Sequence, residues 1–172
     1  MGLEQLVSAC RAAASDETRP MLAVKELIER ATTDTRLLDE LPGKRPGIFT
    51  LHRDETISGF QIVVPSGYTS LPHDHRMWAV VGICSGREDN EFFRRTATTL
   101  EPSGGRSIED GNVLAMGSET IHAVGNPLRH AATVAIHAYG GDLVSASRSM
   151  WTPNPWTEAP YDDRQVTGTT LS

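Results

Sequence analysis

The amino-acid sequence predicts a mainly β protein, an antiparallel sandwich or barrel preceded by an N-terminal helical segment. Apolar side chains recur at helical spacing in residues 1–42, and from Gly47 onward short β-rich runs are cut by Pro, Gly, Asn and Asp. These runs return at near-regular intervals, as the strands of a sandwich or barrel do. Leu3, Leu6, Val7 and Cys10 share one helical face; Val24, Leu27, Ile28 and Ala31 share another. Asp16 and Pro20 stand where the second helix should begin, and a short third segment from Asp34 to Leu41 should end at Pro42-Gly43. The expected strands are Phe60 to Val64 before Pro65-Ser66-Gly67, and Met77 to Cys84 before Ser85-Gly86. Glu91 to Leu100 follows, before Pro102-Ser103-Gly104-Gly105; then Thr120 to Val124 before Asn126-Pro127, and Ala131 to Tyr139 before Gly140-Gly141. After Leu143 the pattern weakens. Pro153, Pro155 and Pro160 argue against a central strand in the tail, which should lie across the barrel anchored by Trp151 and Trp156.

All of residues 1–172 reads as one domain: a helical leader over 1–42, a β core over 47–143 and a Pro- and Trp-containing tail over 144–172. The formal net charge is −6, which provides no basic field for phosphates or anionic lipid, so nucleic-acid and membrane partners are not expected. Met1 to Ser15 holds Glu4 and no basic leader, unlike a secretory signal, and Met77 to Cys84 is too short to cross a bilayer. A cytoplasmic protein, monomeric or a small homo-oligomer, is the expectation. Cys10 and Cys84 suggest no disulfide framework, and Cys84 reads as a buried thiol.

The sharpest chemical signal is His73-Asp74-His75. Residues two apart on a strand point to the same face, so the two imidazoles can converge on one ion while Asp74 faces the other way. The alternative is a histidine satisfied by backbone carbonyls in the core. Gly67 stands six positions before His73, and Gly86 eleven after His75. Gly111 precedes His122 by eleven and Asn126 follows it by four. These two spacings, in this order, resemble the paired motifs of the cupin superfamily, which implies a double-stranded β-helix (jelly-roll) barrel. The glutamate usual in the first motif would fall at Ala79 or Val80, and neither can bind metal. A site of three neutral histidines leaves a divalent ion its full charge and about three open positions, which suits an anionic substrate.

The stretch Pro72-His73-Asp74-His75-Arg76-Met77-Trp78-Ala79-Val80-Val81-Gly82, with Ile121-His122 and Ile136 to Asp142, resembles the cysteine dioxygenase-like (thiol dioxygenase) branch of the cupins over roughly Phe60 to Asp142. That resemblance implies non-haem Fe(II) held by His73, His75 and His122, and a relay formed by His137 and Tyr139. The position of the relay serine is Ala135, which removes the outer end of the hydrogen-bond chain. Ala79 and Val80 occupy the neighbourhood where mammalian-type members carry a cysteine cross-linked to the tyrosine, so no thioether is expected. His137 and Tyr139 are also two apart on an expected strand, so both should face the ligands. Beside open coordination positions, a tyrosine hydroxyl can donate a hydrogen bond or exchange a proton, while a histidine behind it fixes its orientation. An aromatic-lined interior with a structural hydrogen bond is the alternative for this pair.

The implied reaction is RSH + O2 → RSO2H on a small thiol that carries a carboxylate, of the cysteine or 3-mercaptopropionate class. Coordination to the cation would remove the thiol proton, and holding sulfur and oxygen on one centre would supply much of the rate. A buried arginine should receive the carboxylate through its two-pronged fork. Arg53, Arg76, Arg129, Arg148 and Arg164 are candidates; Arg53, ahead of the first core strand, is placed much as the carboxylate-binding arginine of mammalian-type members. Each of them could equally be a solvated surface side chain. Arg94 and Arg95, beside Phe92 and Phe93, suggest a barrel edge or an oligomer contact. Two other functions fit the same ligands: a three-His dioxygenase acting on an oxygen-chelating substrate, and a catalytically silent metal-binding module.

Overall fold

The computed structural model describes residues 1–15 and 18–166; the helix start expected at Asp16 and the end of the tail, 167–172, lie outside the described residues. The leader folds as α1 (Leu3–Ala14), α2 (Pro20–Ala31) and α3 (Thr35–Glu40). Pro20 opens α2, where a missing N–H costs nothing, and the Asp34 side chain caps α3 by accepting Leu37 N–H at 3.3 Å. Leu6, Cys10, Val24, Ile28 and Ala31 bury one continuous face against Val80, Val113, Ile136 and Ala138 of a sheet. Gly82 permits that contact, because a Cβ there would lie 2.4 Å from Ile28 Cγ2. No helix among the described residues is long and apolar enough to cross a membrane.

Eleven strands follow among the described residues: β1 (Gly47–Arg53), β2 (Ser58–Val64), β3 (His73–Asp74), β4 (Ala79–Ser85), β5 (Arg87–Arg95), β6 (Leu100–Glu109), β7 (Val113–Met116), β8 (Ile121–Gly125), β9 (Thr133–Tyr139), β10 (Ser149–Thr152) and β11 (Thr157–Pro160). A short helix, α4, spans Asp163–Val166. One sheet has the order β1-β2-β9-β4-β7, the other β11-β10-β3-β8-β5-β6. The two enclose a core of Phe60, Val81, Ile83, Ile108, Leu114 and Ala135, and the helices cover the outside of the first. This is the mainly β, antiparallel architecture with an N-terminal helical segment that the sequence predicts.

Three local expectations need correction. The run Glu91 to Leu100 is not one strand but the end of β5, a turn and the start of β6; Thr96 Oγ1 accepts the N–H of Thr99 at 3.1 Å and closes the turn. Pro102-Ser103-Gly104-Gly105 is not a turn but lies inside β6, which tolerates proline because it is the edge of its sheet. The tail does contain an internal strand, because β10 lies between β3 and β11. Its prolines are compatible with this: Pro153 and Pro155 fall in the loop after β10, and Pro160 ends the edge strand β11. Trp151 is buried under Arg95, whose guanidinium lies 5.2 Å from its ring, and Trp156 meets Phe93 edge-on at 6.0 Å. Cys10 and Cys84 are free; Cys84 is half-buried rather than enclosed.

Candidate metal centre

Strand pairing builds the triad. In the β3–β8 ladder His73 stands directly opposite His122, so the two side chains project side by side from one face. His75 follows just beyond β3 on that same face, and its ring centroid lies 5.1 Å from that of His73 and 5.0 Å from that of His122. The potential ligand atoms of His73, His75 and His122 all lie within 4.8 Å of one another, and all three residues are buried. Asp74 turns outward as expected, accepting Ser149 N–H at 2.8 Å and pairing with Arg76 at 2.7 Å.

Hydrogen bonds on the far side of the rings fix which nitrogen faces the centre. His73 Nδ1 lies 3.0 Å from the Leu71 carbonyl, which can only accept, so the proton is on Nδ1 and Nε2 is left bare. His122 Nδ1 lies 2.8 Å from Asn90 Oδ1, while its Nε2 is buried with no partner among the described residues. Asn90 Nδ2 in turn donates to Glu88 Oε1 at 2.9 Å, which orients the amide. Burial pushes His73 down to about 4 and holds His75 and His122 well below the usual imidazole range. Three neutral imidazoles, one with an orphaned inward nitrogen, make a donor set that fits a divalent ion such as iron or zinc.

Beside the triad lies a cavity of about 160 Å³. His137 and Tyr139 enter it from β9, with His137 Nδ1 3.0 Å from the Tyr139 hydroxyl and the Tyr139 ring centroid 4.9 Å from that of His75. Burial pushes His137 down to about 3 and raises Tyr139 above its ordinary value, so both are neutral at pH 7. Ala135, two residues back on the same strand, offers no hydroxyl, and His137 Nε2 is buried without a partner among the described residues. The tail closes over this space, since Arg148, Tyr161 and Val166 line it.

No family model matches the sequence. Among solved structures, the chain resembles an uncharacterised conserved protein with a double-stranded β-helix domain from Klebsiella pneumoniae (TM-score 0.51, 12% identity, covering 69% of this chain and 93% of that one). It also resembles the DMSP lyase DddQ from Ruegeria pomeroyi (TM-score 0.50, 16% identity, 64% of this chain and 53% of that one), of which it spans about half the length. A cupin family protein with a double-stranded β-helix fold from Methanocaldococcus jannaschii aligns at TM-score 0.47 and 16% identity over 59% of this chain and 85% of its own. The fold is a double-stranded β-helix.

Within that frame the spaced glycines and asparagine prove to be architectural. Gly86 has φ 94°, and a Cβ there would lie 2.8 Å from Thr133 Oγ1. Asn126 stays away from the triad; its amide donates to the carbonyls of Val64 and Ala131 at 3.1 and 2.9 Å, tying β2 to the loop before β9. Ala79 and Val80 lie buried in β4, and among the described residues the cluster contains no carboxylate ligand.

The arginine candidates separate sharply. Arg53 is away from the cavity; its guanidinium grips Asp142 at 2.7 and 3.0 Å and Ser145 at 3.2 Å. Arg76 serves Asp74 and Ser149, and Arg164 is exposed. Arg148 lines the cavity with its side chain 5% exposed, stacked 3.6 Å from the Tyr161 ring centroid and 3.8 Å from Asp163. Its Nε is buried with no partner among the described residues. Sequence reasoning missed Glu88 and Asn90, which alternate inward along β5 and support His122. The one available signal was period-2 spacing, hidden in an all-polar run.

Proposed function

We propose that this protein is a non-haem Fe(II) thiol dioxygenase that converts a small carboxylate-bearing thiol to a sulfinic acid, RSH + O2 → RSO2H. The observation that carries the reading is the hydrogen-bonded Tyr139–His137 pair set against His75, beside three neutral imidazoles and no carboxylate. His73, His75 and His122 would hold the iron, which when bound supplies open positions and redox capacity for joining sulfur to oxygen. Retaining its full charge, such a centre favours an anionic thiolate over a neutral ligand.

The chain's own residues supply the rest. Arg148 receives the substrate carboxylate, taking over the role expected of Arg53, whose fork Asp142 already fills. With its proton on Nδ1, His137 donates to the phenolic oxygen and turns the Tyr139 O–H toward the cavity. With the proton on Nε2 the donor and acceptor exchange and the Tyr139 O–H turns to His137 instead, so the tautomer of His137 sets whether the hydroxyl donates into the cavity. Tyr161 and Val166 exclude water from above.

The test is oxygen uptake by iron-loaded protein over a thiol panel and an oxygen-chelator panel, with products weighed after reaction under labelled dioxygen. Uptake with a carboxylate-bearing thiol, and both labelled atoms in a sulfinate, is expected. Silence with every thiol and uptake with a chelator would replace this reading with the oxygen-chelate one. Silence with both, in protein that retains zinc or nickel, would leave a binding module.

A further inference from the structure

We propose that Glu88 selects the substrate, its free carboxyl oxygen receiving an ammonium group on the same thiol whose carboxylate Arg148 holds. The inference rests on the thiol dioxygenase reading and deepens it. It names the substrate class as a zwitterionic amino thiol acid rather than a plain mercapto acid.

Glu88 is 2% exposed and lines the cavity that the triad, Tyr139 and Arg148 share. One of its oxygens is committed, since Oε1 accepts Asn90 Nδ2–H at 2.9 Å. The other, Oε2, is buried with no partner among the described residues. A buried carboxyl oxygen left without a donor is costly, and a ligand that brings the donor recovers that cost on binding. Glu88 is not one of the clustered ligands, which among the described residues are His73, His75 and His122. Nor is it free to swing away, because Asn90 is itself fixed by His122 Nδ1 at 2.8 Å.

Arg148 is a buried cation on the same cavity. Much of the remaining lining is apolar: Phe60, Ile62, Val64, Val124 and Leu143. A small cavity with one fixed cation, one fixed carboxyl oxygen and a thiolate-favouring centre matches a molecule carrying a carboxylate, an ammonium and a thiol. Burial pushes Glu88 up to about 7, so at neutral pH a modest gain from a cationic partner suffices to ionise it.

Glu88→Gln keeps the side-chain length and the acceptor that Asn90 needs, and turns an NH2 toward the cavity in place of the free oxygen. An NH2 repels an ammonium. The measurement is anaerobic calorimetry of L-cysteine and 3-mercaptopropionate binding to iron-loaded wild type and E88Q, with oxygen uptake recorded separately. The expected result is wild type favouring L-cysteine by about tenfold or more, the worth of a charge-assisted hydrogen bond. E88Q should lose that preference while its affinity for 3-mercaptopropionate and its metal content hold. An unchanged ratio overturns the proposal. So does equal weakening of both thiols, which would show Glu88 acting only through Asn90 on His122. Should E88Q fail to fold, the wild-type ratio decides, and a ratio near one overturns the proposal. Oxygen uptake with neither thiol would remove the dioxygenase reading and this proposal together; uptake with both and a ratio indifferent to Glu88 would remove the proposal alone.

Discussion

Asn90 Oδ1 accepts the Nδ1–H of His122 at 2.8 Å, and this contact decides which ring nitrogen faces His73 and His75. Without the acceptor, the ring can flip or shift its proton, and the ligand set loses its shared focus. Asn90→Ala should therefore weaken metal binding roughly 10–100-fold, as removal of such outer partners does elsewhere. Competition with a chelator measures it, and undiminished affinity would show that packing against Phe92 alone orients the ring.

Replacing Tyr139 by Phe deletes the hydroxyl while keeping the ring that packs on His75 and Phe60. Metal content should be unchanged. Turnover should fall about 10²–10⁴-fold, the usual range for a lost positioned proton donor. Turnover at the wild-type rate would reduce the His137–Tyr139 pair to a structural contact.

Arg148 and Arg53 make opposite predictions. Arg148→Met should raise KM for carboxylate-bearing thiols by tenfold or more and spare thiols that lack the group, because it removes a charge-assisted fork from the cavity wall. Arg53→Ala should leave KM alone and loosen the loop that Asp142 and Ser145 anchor. Steady-state kinetics of the two variants decide it; the reverse pattern would return the carboxylate site to Arg53.

The metal-free protein should show two opposed pH effects on stability. His73 and His137 fall from 6.5 to about 4 and about 3 on burial, and His75 and His122 fall well below 6.5. Below pH 6.5 the unfolded chain therefore binds more protons at these sites than the folded one, and stability is lost as pH drops toward 4. Glu88 rises from 4.5 to about 7, so here the folded state keeps a proton that the unfolded state releases, and stability is lost as pH rises through that window. E88Q removes the second effect alone. Its melting temperature should climb more steeply than that of wild type between pH 4.5 and 6.5, and parallel curves would mean Glu88 is not held protonated.

The triad was legible through one local rule and one resemblance. His73 and His75 needed only strand alternation, whereas His122 joined them because the spacing of Gly111, His122 and Asn126 resembles a known motif, whose Asn126 the structure shows in a loop contact. Glu88 and Asn90 were hidden, since an inward polar face reads like a solvated strand until its neighbours are known. The Pro102 to Gly105 stretch misled for a related reason: residues that usually punctuate a turn are also tolerated on a sheet edge.

Sequence by itself determined the periodicities, and with them the helical leader, the β-rich core and the two paired histidine positions, because each depends on neighbours only a few residues apart. Tertiary structure decided which strands are adjacent, and so that His122 meets His73, that Arg148 rather than Arg53 enters the cavity, and that Glu88 faces inward. Those contacts join residues distant in the chain, and only pairing register and the closing of one sheet over the other bring their side chains to one space.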